Sequence, residues 1–79
     1  MGSRSRKTRN VTPQQCRAAR ALLGWTQEVL SANAGVSVAA LRDYERGKRT
    51  MMPQNLKAVR TTLELAGIEF LSSDGLKKR

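Results

Sequence analysis

The sequence predicts an all-α domain of four or five short helices, with room for a short C-terminal β-strand or hairpin. Three observations point to it. Apolar residues recur at helical spacing in four stretches; each stretch opens on a Thr, Ser or Pro of the kind that starts helices; and Gly24, Gly35, Gly47 and Gly67 stand where the stretches run out. A chain of 79 residues makes one domain, and a domain of this size buries only about 60% of its unfolded surface. One modest core is expected.

The first helix has the fullest start signal. Thr12 is a good N-cap, Pro13 suits the first helical position, and Gln15 completes a capping box. Cys16, Ala19, Leu22 and Leu23 form its apolar stripe before Gly24. Trp25 follows as the largest hydrophobe for the core, although an indole can also stack on a base. Thr26 caps a second helix to about Ala34, with Leu30 and Ala34 inward and Gly35 as the turn. Ser37 caps a third helix, Val38 to Arg46, that carries Leu41 and Tyr44 on one face and stops at Gly47. After a loop from Lys48 to Met52, Pro53 opens a fourth helix to Ala66, buried through Leu56, Val59, Leu63 and Ala66. The expected core is Trp25, Leu30, Leu41, Tyr44, Leu56 and Leu63.

The last stretch changes period. Ile68-Glu69-Phe70 alternates as a strand does, and Asp74-Gly75 is a type I′ turn signal. A terminal hairpin, an edge strand pairing with another subunit, and a disordered basic tail all fit. The organisation expected is a flexible basic arm over 1–10, a helical domain over 11–67 and a strand, hairpin or tail over 68–79.

Composition narrows the function classes. Histidine is absent, the six acidic residues are scattered, and no pair of them is spaced for acid–base catalysis. Cys16 is the single cysteine, so it has no internal disulfide partner and no neighbours at metal-ligand spacing. A buried structural thiol is the better reading, although Arg17 and Arg20 could lower its pKa. No catalytic residue, metal site or cofactor is expected, and enzyme is the least favoured class. With no run of roughly 18 apolar residues and no secretory signal, the expectation is a cytoplasmic, soluble protein.

The net charge of +9 attracts polyanions, whether nucleic acid or an anionic membrane surface. Arg4, Arg6, Lys7 and Arg9 occupy the arm; Arg42, Arg46, Lys48 and Arg49 cluster mid-chain; Lys77, Lys78 and Arg79 close the sequence. A membrane-surface peptide needs one continuous amphipathic helix, and Gly24, Gly35, Gly47 and Pro53 break this chain into compact pieces. Any single cluster could be only a solvated face. The middle one has further support.

The segment Thr26-Gln27-Glu28-Val29-Leu30-Ser31, then Ala34-Gly35-Val36-Ser37, Leu41 and Tyr44-Glu45-Arg46-Gly47-Lys48, resembles the helix-turn-helix of the Cro/phage-repressor (XRE) family. The likeness extends over roughly residues 12–67 and implies a repressor-like domain that binds double-stranded DNA with its third helix in the major groove, read by residues 37–44. The resemblance assigns base contacts to Val38, Ala39, Arg42 and Asp43. It assigns phosphate contacts to Gln27, Ser37, Arg46, Lys48 and Arg49, and a structural ion pair to Arg20 and Glu45. Gln27 has an alternative reading as an ordinary polar residue of a first turn.

The chain also departs from the family. Val38 and Ala39 replace residues that are often hydrogen-bonding, and at most they touch thymine methyls. Arg42 could grip a guanine or contact phosphate. Asp43 could accept from a cytosine or, the favoured reading, orient Arg42 or Arg46. Ser31 stands where Ala is usual, and Val29 where a polar residue is usual.

Two functions follow from the resemblance. One is a sequence-specific transcriptional regulator acting as a homodimer on a palindromic operator. The alternative is an antitoxin or other partner-binding protein of the same fold, whose C-terminal stretch binds another protein and whose DNA binding serves autoregulation. Fold alone does not separate them.

Overall fold

The computed structural model describes residues 11–71 and 75–79. Four helices and a short hairpin follow in order: α1 (Pro13–Leu23), α2 (Gln27–Ala34), α3 (Val38–Glu45), α4 (Pro53–Leu65), β1 (Ile68–Phe70) and β2 (Leu76–Lys78). The basic arm, Ser72, Ser73 and the Asp74 of the turn signal lie outside the described residues.

Local chemistry sets the helix starts. The Thr12 hydroxyl accepts from the Gln15 N–H at 3.1 Å and the Gln15 side chain accepts from the Thr12 N–H at 3.0 Å, a closed capping box. Thr26 and Ser37 each accept one backbone N–H at 3.1 Å at the heads of α2 and α3. Between those helices, Gly35 sits in the left-handed region at φ 72°, where a Cβ is strained. The turn can therefore be tight, and α2 and α3 pack against each other.

The core joins all the elements. Cys16 and Ala19 from α1, Leu30 from α2, Leu41 and Tyr44 from α3, and Leu56, Val59 and Leu63 from α4 are buried together with Val11, Met51 and Ile68. Val11 precedes the cap of α1 and Cys16 is its fourth helical residue, the two positions of a hydrophobic staple. Strands β1 and β2 pair antiparallel with Ile68 opposite Lys78, Glu69 opposite Lys77 and Phe70 opposite Leu76. The hairpin packs by β1 on α4 and by β2 on α1, with Ile68 buried.

Several boundaries and burials differ from the sequence expectation. α3 ends at Glu45, with Arg46 as its C-cap, and α4 ends at Leu65, with Ala66 as its C-cap and only half-buried. Trp25 is half-buried at the edge of the core because it lies in the short connection between two helices, not on a packed face. Leu22 is 45% exposed. The buried face of α1 runs through Gln15, Cys16, Ala19 and Leu23, and helical geometry turns position 22 onto its flank.

Leu41 is fully buried, so Leu41→Ala should lose roughly 2–5 kcal/mol in urea unfolding. Leu22→Ala should stay within about 0.5 kcal/mol of the parent, as surface changes usually do. Equal losses at the two positions would contradict the packing described.

Candidate nucleic-acid interface

Helix α3 presents two different faces. Leu41, Tyr44 and Glu45 point into the protein, whereas Ala39, Arg42 and Arg46 are exposed and Val38 and Asp43 are half-buried beside them. Spacings of three and four residues align Ala39, Arg42, Asp43 and Arg46 along one outward stripe. Asp43 makes no ion pair with Arg42 or Arg46 among the described residues. The backbone carbonyl of Asp43 accepts from the Lys48 N–H at 2.9 Å.

That bond belongs to the end of α3. The Gly47 N–H donates to the Tyr44 carbonyl at 3.0 Å, and Gly47 itself is left-handed at φ 72°. The two bonds make a Schellman motif, which satisfies the last carbonyls and reverses the chain. Lys48 and Arg49 follow, both exposed, and are thereby fixed next to the outward stripe. A hollow of about 530 Å³ lined by Val11, Thr12, Tyr44, Lys48 and Arg49 adjoins them. The Tyr44 hydroxyl donates to the Val11 carbonyl in its wall, and burial pushes the phenol up to about 12.

Glu45 holds the opposite face of α3. Its side chain is 1% exposed. Arg20 grips it with both arms of a fork, Nη2 to Oε1 and Nε to Oε2, each at 2.7 Å. Gln27 Nε2 donates to Oε1 at 3.0 Å and the Cys16 thiol donates to Oε2 at 3.2 Å. Arg20 Nη1 also donates to the Trp25 carbonyl at 3.0 Å, and Arg17 donates to the Glu45 backbone carbonyl. One carboxylate thus ties together α1, the α1–α2 connection, α2 and α3.

Electrostatics follow from this geometry. Burial alone would raise the Glu45 carboxyl, but the hydrogen bonds from Arg20, Gln27 and Cys16 outweigh it and hold the group below the usual carboxylate range. Cys16 goes the other way: burial, then its bond to Glu45 and the nearby negative charge, push the thiol well up. It is a packed, unreactive thiol.

The Arg20–Glu45 bridge lies on residues marked by the family resemblance. The Gln27, Cys16 and Arg17 bonds to Glu45, and the Tyr44–Val11 bond, were not expected from the sequence. Each joins positions distant in the chain, and no local pattern signals them. Gln27 is half-buried at the first turn of α2, with one amide N–H on Glu45; an amide nitrogen carries two. Ser31, at the position where Ala is usual, is buried and satisfies its hydroxyl on the Glu28 carbonyl at 3.0 Å. Among the described residues no group of three or more side chains could hold a metal ion, and no helix is long and apolar enough to cross a membrane.

Glu45→Gln should lose roughly 3–5 kcal/mol at neutral pH, because the buried pair loses one charge. The lower end is expected, since Arg20 keeps 19% of its side chain exposed. A lowered folded pKa contributes stability above the unfolded carboxyl value of about 4.3. That contribution is lost as pH falls through the folded value. Urea midpoints of parent and variant should therefore converge on acidification below that region. A constant gap down to full acid unfolding would contradict the assignment.

No curated protein matches the chain. A family model described as helix-turn-helix matches residues 17–69, well over half of its length, from α1 through the start of the hairpin. The matched region contains Glu45 with its Arg20 and Gln27 partners, the α2–Gly35–α3 unit and the basic loop behind it, and the chain belongs to the Cro/phage-repressor (XRE) type helix-turn-helix family of DNA-binding regulators.

Proposed function

We propose that the protein is a sequence-specific transcriptional regulator that lays α3 in the major groove and binds as a homodimer to a two-fold symmetric operator. The observation that carries this reading is the outward stripe of α3 flanked by two grips suited to phosphate. On one side, the N-terminus of α2 offers unpaired backbone N–H groups together with the second amide N–H of Gln27. On the other, Arg46, Lys48 and Arg49 stand exposed at the end of α3. Ser37 lies exposed at the head of α3. Such contacts fix register, and base edges are then read by the stripe between them.

Within the stripe, Arg42 is the one side chain able to grip guanine O6 and N7 with a planar fork, and Asp43 can accept from a cytosine amine. Val38 and Ala39 offer apolar contact to thymine methyls. With so few direct donors, DNA shape supplies part of the preference. Arg4, Arg6, Lys7 and Arg9 precede Val11, which lies beside the basic loop. A cationic arm attached there can follow a groove as the complex forms.

If a dimer neutralises about 6–10 phosphates, log affinity should fall against log salt with a slope near −5 to −9. Lys48→Ala or Arg49→Ala should weaken all duplexes alike and flatten the slope by about one unit per half-site. A slope near zero would remove DNA binding from the account.

Arg42 separates reading from mere adhesion. Arg42→Ala should lose roughly 1–3 kcal/mol on the preferred site and much less on unrelated DNA. Arg42→Lys keeps the charge but loses the fork. In a competition binding assay it should discriminate like the alanine variant. Parent-like discrimination by Arg42→Lys would make Arg42 a phosphate contact instead.

A further inference from the structure

Away from α3, a groove of about 520 Å³ runs between the flank of α1 and the outer edge of β2, lined by Gln14, Gln15, Ala18, Ala21, Leu22, Gly75 and Leu76. Its floor is α1, where Ala18, Ala21 and Leu22 are exposed and carry no charge. Small side chains there let a backbone come close. Its wall is a strand with an open edge, since the sheet has two strands among the described residues.

The hydrogen-bond pattern says which groups that edge offers. The Arg79 N–H donates to the Gly67 carbonyl at 2.6 Å and the Leu71 N–H donates to the Gly75 carbonyl at 2.9 Å. The odd-numbered positions of β2 therefore bond inward to β1. The alternation of an antiparallel ladder turns the N–H and C=O of Leu76 and Lys78 outward, away from β1, and Leu76 lines the groove. An added strand would pair there and rest its inward side chains on α1 beside Leu22 and Leu76.

Charge selects the occupant. Lys77 has only a 3.9 Å contact with Glu69, both largely exposed, and Lys78 makes no ion pair among the described residues. In the register that pairs all of β2 with a second copy of itself, Lys77 stands opposite the same residue of that copy. This is the close, non-hydrogen-bonded pair, where like charges repel. Edge lysines of this kind discourage self-pairing. They favour a strand that brings carboxylates.

We propose that the groove between α1 and β2 is a docking site for an extended acidic segment of a partner protein, which adds to β2 as a third strand. Main-chain bonds to Leu76 and Lys78 hold it, aliphatic side chains face Ala18, Ala21 and Leu22, and carboxylates on its other face meet Lys77. The site shares no residue with the proposed DNA surface, so both could be occupied together, and its test does not depend on the DNA reading.

The probe is a capped peptide alternating Glu and Val, titrated into the isotope-labelled full chain and followed by amide NMR, with a Lys-Val peptide as control. The expected result is saturable shifts and slowed hydrogen exchange at the Leu76 and Lys78 amides with the acidic peptide only. Ala18→Glu, an exposed helical position, should weaken the peptide by about tenfold or more and leave DNA affinity unchanged. Three outcomes would overturn the proposal. The first is no saturable binding, and the second is shifts centred on α3, Lys48 and Arg49, which would make the peptide a generic polyanion. The third is peptide-independent shifts of Leu76 and Lys78 that grow with protein concentration, which would make a second copy the occupant.

Discussion

A single buried carboxylate sets the geometry on which the rest depends. Glu45 ends α3, and four side-chain donors or donor sets converge on it from α1 and α2. Removing a carboxylate from water is unfavourable unless its lone pairs are met, and here both oxygens are. The arrangement is directional in a way that hydrophobic packing is not. Leu41 and Tyr44 bury one face of α3, but apolar contact alone tolerates rotation and sliding. The fork of Arg20 does not, because two bonds of fixed geometry must close together. We infer that the hub specifies the angle of α3 more than it adds net stability.

Around that hub, local devices place the groups that face solvent. Gly35 turns the chain between α2 and α3, and the Schellman motif at Gly47 brings Lys48 and Arg49 back beside the outward stripe. Gln27 links the two roles, since its amide braces Glu45 from the position where α2 offers its unpaired N–H groups. In the proposed complex, a phosphate held at that end is mechanically connected to the recognition helix through one side chain. Scarcity of hydrogen-bonding side chains at Val38 and Ala39 then makes accurate placement matter more, because few direct contacts remain to correct a misaligned helix.

Much of the fold was legible in the sequence because helix ends carry local chemistry. Thr12, Thr26, Ser37 and Pro53 mark starts, and the glycines mark stops within a residue or two. The same reasoning failed where burial depends on which face a neighbour covers. Leu22 satisfies the periodic pattern but lies on the flank of α1, while Met51 and Val11 are buried from loop positions that no periodicity selects. Trp25 was expected at the centre for its size, yet a connection between helices holds it at the margin. At the candidate site, the outward stripe follows from helical geometry once α3 is placed. The hub does not, beyond the Arg20–Glu45 pair that family resemblance marks. Asp43 illustrates the limit: the expectation that it orients Arg42 or Arg46 rests on repulsion by phosphates, and among the described residues it makes no ion pair with either.

The central claim is that this helix, so fixed, reads DNA sequence. Selection from a library of random duplexes by the purified full chain tests it most directly. The account predicts enrichment of a two-fold symmetric site, its half-sites about one helical turn apart and each containing a guanine in the position most sensitive to Arg42. A selected pool no more ordered than the starting library, at a salt concentration where DNA is still retained, would contradict it.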